Sequence, residues 1–197
     1  MSKGRLEAFS DGVLAVIITI MVLQLPVPQG STLPALKPVV PVLLAYLLSF
    51  VYIGIYWNNH HHLLQATQHV AGWILWANLN LLFWLSLIPF TTAWVGAYPL
   101  MSWPLALYGG DMLLAAIAYF VLTKALIAHH GRDSLLAASI GGDLKGTISL
   151  ALYLCAVVLA FIQPWASIAC YVIVPVMWFL PDRRIEKHLP PGKPLPD

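Results

Sequence analysis

Residues 5–25 read Arg5-Leu6-Glu7-Ala8-Phe9-Ser10-Asp11-Gly12-Val13-Leu14-Ala15-Val16-Ile17-Ile18-Thr19-Ile20-Met21-Val22-Leu23-Gln24-Leu25. From Gly12 onward only Thr19 and Gln24 interrupt the apolar run, so a polar cluster opens a helix of membrane length. An ionisable side chain such as Asp11, near or inside a span, costs roughly 2.5–3.5 kcal/mol on insertion scales unless it is paired or faces a protein interior. The cluster is therefore a candidate for function.

Composition widens this to the whole chain. Of the 197 residues 60% are hydrophobic and 9% charged, which is outside the range of soluble domains and indicates an integral membrane protein. A span needs about 20 mostly apolar residues. Six such stretches are predicted: Leu6–Leu25, Val39–Asn59, Gly72–Trp94, Trp103–Ile127, Gly146–Ile162 and Trp165–Leu180. The last two are near the short limit, and only Gln163-Pro164 separates them, so they should form a tight hairpin. Pro26 and Pro28 stop the first.

Of the ten Lys and Arg residues, nine fall at the termini or between helices four and five: Lys3, Arg5, Lys124, Arg132, Lys145, Arg183, Arg184, Lys187 and Lys193. Lys37 stands alone on the other side. Because basic flanks stay in the cytoplasm, both termini are expected there, together with the link carrying His60, His61, His62 and His69. Residues 1–187 then form one six-helix domain, and the Pro-rich tail 188–197 is expected to be disordered. The first run carries Asp11, ends in Pro-Val-Pro and lacks a small-x-small cleavage site, so it reads as a retained helix and not a secretory signal. Cys155 and Cys170 sit in apolar spans and read as packed thiols.

Each polar position admits two readings. On a helical wheel Gly12, Val16, Thr19, Ile20 and Leu23 share one face, and Asp11 lies roughly 140° from Val16. That face suits lipid or helix packing, with Thr19 bonded to its own i−4 carbonyl. It equally suits a pore, where aliphatic rings gate by dewetting and hydroxyls replace hydration. Periodicity does not choose between them. Asp11 reads either as an N-terminal helix cap or as part of a buried polar network or proton path. The segment Tyr56-Trp57-Asn58-Asn59-His60-His61-His62 suits interfacial hydrogen bonding. Consecutive histidines diverge by about 100°, which disfavours a metal site. Asn78 and Asn80 read as interhelical glue, Pro89 as a kink relieved by Ser86, and Asp111 as facing an outer vestibule. No catalytic constellation and no Thr-Val-Gly-Tyr-Gly filter occurs, so no enzyme activity is expected.

The run Arg5-x-x-x-Phe9-Ser10-Asp11 before an Ile/Leu/Thr-rich helix that ends in Pro-Val-Pro resembles the bacterial branch of the transmembrane protein 175 family. Tyr56-Trp57-x-x-His60-His61 fits the same pattern, and the resemblance spans Arg5 to about Arg184. It implies a potassium-selective channel of the prokaryotic cell membrane, here the bacterial inner membrane, built as a homotetramer. Its pore would be lined by the first helix of each subunit.

Counted from the motif aspartate, the constriction and threonine layer fall on Val16, Thr19, Ile20 and Leu23. Val16 stands where the family usually has Ile or Leu, implying a slightly wider ring. Arg5, Phe9, Ser10 and Asp11 would hold the first helix through Trp57, His60, His61 and Asn78 or Asn80. The expectation is thus an all-α six-helix membrane bundle conducting K+ passively, with no cofactor and no resident metal. Its partners would be potassium ions, the bilayer and three further copies, without nucleic acid. A proton channel or proton-coupled transporter using Asp11 and the histidines is the rival reading.

Overall fold

The computed structural model describes residues 3–65, 67, 70–130 and 144–179, and among them there is no strand. The chain forms α1 (Lys3–Leu23), a 3₁₀ segment (Leu33–Val39), α2 (Val40–Gln65), α3 (Gly72–Ala97), α4 (Ser102–His130), α5 (Leu144–Ile162) and α6 (Pro164–Phe179). Five of the helical stretches are long and apolar enough to cross a membrane; Pro164–Phe179, at 16 residues, is shorter. The result is an all-helical, multi-pass membrane protein. The tail 188–197, Leu180 and His69 lie outside the described residues.

Helix ends follow local chemistry. The last amides of α1 tighten into i→i−3 bonds, Gln24 to Met21 (3.3 Å) and Leu25 to Val22 (3.2 Å), before Pro26 stops the helix. Between α5 and α6 only Gln163 intervenes. Its amide donates back to the Leu159 carbonyl (2.8 Å), and its carbonyl accepts from Ala166 (3.0 Å) and Ser167 (3.2 Å), with Pro164 in the first-turn position that tolerates a missing N–H. The hairpin is as tight as its two-residue spacing implied.

Sequence-neighbouring helices pack on one another from α2 to α6. α6 also reaches α2 and α4, while α1 rests on α2 and α3 at the bundle's edge. The core is aliphatic on α3 and α4, with Leu81, Leu85, Ile88, Leu105, Met112 and Leu122 fully buried. Ala156 and Ala160, also fully buried, give α5 a small-residue face. Polar groups inside the bundle bond across helices. Ser49 meets both Thr92 (2.7 Å) and Tyr108 (3.1 Å), the Tyr52 hydroxyl donates to the Tyr171 carbonyl (2.7 Å), and the Tyr171 hydroxyl to the Leu105 carbonyl (2.8 Å). Within a bilayer such bonds are worth roughly 0.6–2 kcal/mol each.

Gly96 marks a close approach of α2 and α3. A Cβ there would lie 2.8 Å from the Val42 Cα, a backbone atom that cannot rotate away. Gly96→Ala should therefore cost about 1–3 kcal/mol and lower the detergent melting temperature by about 2–10 °C. An unchanged melting curve would show that the two helices can separate at no cost.

Four expectations need correction. α2 does not stop at Asn59 but runs on through the three histidines to Gln65, because His60 and His61 are paired to neighbouring helices and do not sit in a link. Asp111 does not face a vestibule. It is 4% exposed and accepts a hydrogen bond from the Thr91 hydroxyl (3.0 Å). Cys155 is exposed on the bundle's outer surface and not packed; both cysteines are free thiols. Ser86 donates to the Phe83 carbonyl (2.7 Å) and not to that of Leu85, the carbonyl Pro89 leaves without its helical partner.

Candidate functional site on the first helix

α1 divides lengthwise into three faces. Leu6, Ser10, Leu14, Ile17 and Met21 recur at three- and four-residue steps and are buried. They form the seam that docks α1 into the bundle.

The second face meets α2 in an antiparallel ladder. The Lys3 ammonium donates to the Gln65 carbonyl (3.1 Å), the Glu7 carboxylate meets His61 Nδ1 (3.1 Å), and Trp57 Nε1 donates to Asp11 Oδ1 (3.0 Å). Each rung advances by four residues on α1 and retreats by four on α2, which is the spacing that places side chains on one helical face. Trp57 and His61 stack on each other, ring centres 6.0 Å apart and 20° from parallel. Protonation of His61 would turn its rung into an ion pair. Asp11 sits eight residues inside the helix, so the N-cap reading is overturned.

From the seam runs a hydrogen-bond relay across three helices. His60 Nε2–H of α2 donates to Asn78 Oδ1 of α3 (2.7 Å), Asn78 Nδ2 donates to Ser10 Oγ of α1 (3.0 Å), and Ser10 donates to the Leu6 carbonyl (2.9 Å). Ser10, His60 and Asn78 are all buried. The direction is unbroken: every member has its proton placed by the next. His60 Nδ1 is left as a buried acceptor without a partner.

The third face is open. Phe9, Val16 and Leu23 are 50%, 54% and 82% exposed, Ile20 is 42% exposed, and Arg5, Gly12 and Thr19 are exposed with them. Thr19 turns its hydroxyl back to the Val16 carbonyl at i−3 (2.9 Å), not i−4.

The site residues chosen from sequence are thus divided. Ser10, Asp11, Trp57, His60, His61 and Asn78 come together between α1, α2 and α3. Arg5 and Phe9 instead stand on the open face with Val16, Thr19, Ile20 and Leu23, and Asn80 is exposed, two residues and about 200° round α3 from Asn78. Lys3, Glu7 and Gln65 were missed. The signal was present: Lys3, Glu7 and Asp11 recur every four residues, as do Trp57, His61 and Gln65.

Comparison with known proteins gives this arrangement a lineage. Residues 5–89, which contain nearly all of α1, all of α2 and most of α3, match the model of the endosomal/lysosomal potassium channel TMEM175 family. A protein of Chryseobacterium named a potassium channel is 51% identical over 96% of this chain and 98% of its own length. The mouse protein named endosomal/lysosomal proton channel TMEM175 is 31% identical, over 82% of this chain and 36% of its own. Among solved structures, the crystal structure of a lysosomal potassium-selective channel TMEM175 homologue from Chamaesiphon minutus superposes with a TM-score of 0.78. It is 30% identical and covers 90% of this chain and 96% of that one. With half its residues shared end to end with a bacterial relative and its fold matched over nine-tenths of its length, this chain belongs to the TMEM175 family.

Proposed function

We propose that the protein is a potassium-selective channel of the cell membrane, in which four copies bring their α1 helices together around an axis. Val16, Thr19, Ile20 and Leu23 face that axis, the aliphatic side chains forming a dry constriction and the Thr19 hydroxyls a polar layer within it. The observation that carries this reading is the one-sided packing of α1. The helix is held on two faces by α2 and α3 and leaves its third face, from Arg5 to Leu23, uncovered. One such face cannot enclose an ion path, whereas a symmetric ring of them can. The bacterial relative and the solved structure, both named for potassium, support the choice of ion. Both chain ends and the α4–α5 link lie on the cytoplasmic side in this reading, since nine of the ten basic residues belong there. Arg5 would then line the cytoplasmic mouth.

Proton conduction is the second reading, favoured by the name of the mouse relative. Against it, Glu7 and Asp11 are both engaged by α2 and neither stands on the open face.

Flux from proteoliposomes separates the two. Loaded with K+ and diluted into Na+, vesicles carrying the channel should develop a K+ diffusion potential that drives dye or proton uptake once a protonophore is added, and valinomycin should add little. Acidification when valinomycin is added without the protonophore would transfer the assignment to protons. Vesicles that respond only when valinomycin and the protonophore are both present would remove both.

A further inference from the structure

Between α2, α4, α5 and α6, away from the α1 face, each subunit contains a shallow recess of about 50 Å³, open on one side. Its walls include Tyr52, Tyr56, Ala116, Phe120, Tyr153 and Trp178. The recess presents carbon, because nearby polar groups bond to one another. The Tyr119 hydroxyl donates to the Asn59 carbonyl (3.2 Å), Trp178 Nε1 to Ser149 Oγ (3.1 Å), and Ser149 to the Lys145 carbonyl (2.8 Å). An open apolar recess of this size in a membrane protein suits a short stretch of a hydrocarbon chain.

Its rim carries positive charge. The Lys124 ammonium lies 5.1 Å from the centre of the Phe120 ring, and the Lys145 ammonium 5.9 Å from that of Trp178. Both rings line the recess, so two cations from different helices border one apolar cavity. Lys124 is near the end of α4 and Lys145 near the start of α5, the end of the bundle assigned above to the cytoplasm. Phe120, 43% exposed, marks the open side. Basic pockets between helices at the cytoplasmic leaflet are the chemistry that selects anionic lipid head groups, and aromatic faces help to hold the ammonium groups in place.

We propose that each subunit binds an anionic phospholipid of the inner leaflet, with part of an acyl chain seated in this recess and its phosphate against Lys124 and Lys145. The inference rests on the cytoplasmic placement of the α4–α5 end and not on ion selectivity. Its readout is lipid retention, so it stands or falls separately from conduction.

The test is native mass spectrometry of the full chain in detergent, titrated with phosphatidylglycerol or phosphatidylcholine of identical acyl chains. Wild-type protein should retain phosphatidylglycerol preferentially. Each lysine is worth about fivefold, so K124Q/K145Q should lower retention of phosphatidylglycerol by about thirtyfold while leaving phosphatidylcholine unchanged, and K124R/K145R should restore it. A116W, which fills the recess, should remove retention of either lipid. Equal retention of the two lipids by wild type, or full retention of phosphatidylglycerol by the Gln pair, would overturn the proposal. Lys124 is exposed and Lys145 half-buried, so the Gln pair leaves the core intact and decides the matter even if A116W does not fold.

Discussion

Thr19→Val should lower the potassium-to-sodium preference by about tenfold, equivalent to about 1.4 kcal/mol shared among four hydroxyls. The change is nearly isosteric. It removes only a local bond from Thr19 to its own Val16 carbonyl, on an exposed face, so folding and assembly should be untouched. At the two aliphatic positions the opposite sign is expected. In the proposed tetramer, four copies of Leu23 or Ile20 would make rings whose barrier is the exclusion of water, and Leu23→Ala or Ile20→Asn should rehydrate them and raise single-channel conductance several-fold. Reversal potentials in mixed K+ and Na+, recorded beside conductance, read both effects. A face turned to lipid would give another pattern, with Ile20→Asn destabilising the protein and Thr19→Val silent. Three well-folded variants with wild-type conductance and selectivity would remove α1 from the ion path.

The second large effect belongs to stability. Asn78 is the middle member of the relay, and Asn78→Leu leaves the His60 Nε2–H without its acceptor and Ser10 without its donor, both buried. At about 1–3 kcal/mol for each stranded group, the loss is about 2–6 kcal/mol. That is enough to lower the yield of assembled protein sharply. Asn80→Leu, a change of the same kind two residues away on the exposed side, should stay within about 0.5 kcal/mol. Asp11→Asn keeps an acceptor for Trp57 and should cost less than Asp11→Ala. Thermal unfolding in detergent ranks the four variants. Assembled Asp11→Ala protein of normal stability with altered ion preference would move Asp11 from the bundle wall into the ion path.

The membrane class, the helices and the tight α5–α6 hairpin were legible because each rests on a local property: apolar length, a proline stop, a two-residue separation. The wheel also grouped Val16, Thr19, Ile20 and Leu23 correctly, since a face of a single helix needs no knowledge of its neighbours. Two of the failures required a second helix. The end of α2 was placed at Asn59 because three histidines look like a solvated link. Only their partners Asn78 and Glu7 explain why they remain helical and packed. Asp111 was placed in a vestibule because a carboxylate beside two glycines looks accessible, and the Thr91 hydroxyl that meets it lies on another helix. Arg5 and Phe9 were grouped with Ser10 and Asp11 by adjacency in sequence. In a helix, adjacency separates side chains by about 100°.

The docking of α1 also has a consequence for biogenesis. α1 leaves the ribosome ahead of α2 and α3, so nothing that holds it has been made at that moment. Asp11 waits 46 residues for Trp57, Glu7 waits 54 for His61, and Ser10 waits 68 for Asn78. At about 5–20 residues per second, the nascent first span spends about 3–14 s beside the translocon before the relay can close. The charged rungs come first and fix α1 against α2 as an antiparallel pair; the buried Ser10 hydroxyl, already donating to the Leu6 carbonyl, accepts its bond from Asn78 only when α3 arrives. The third face of α1 stays uncovered throughout, so in the proposed tetramer it would be open to other copies before the third helix is threaded.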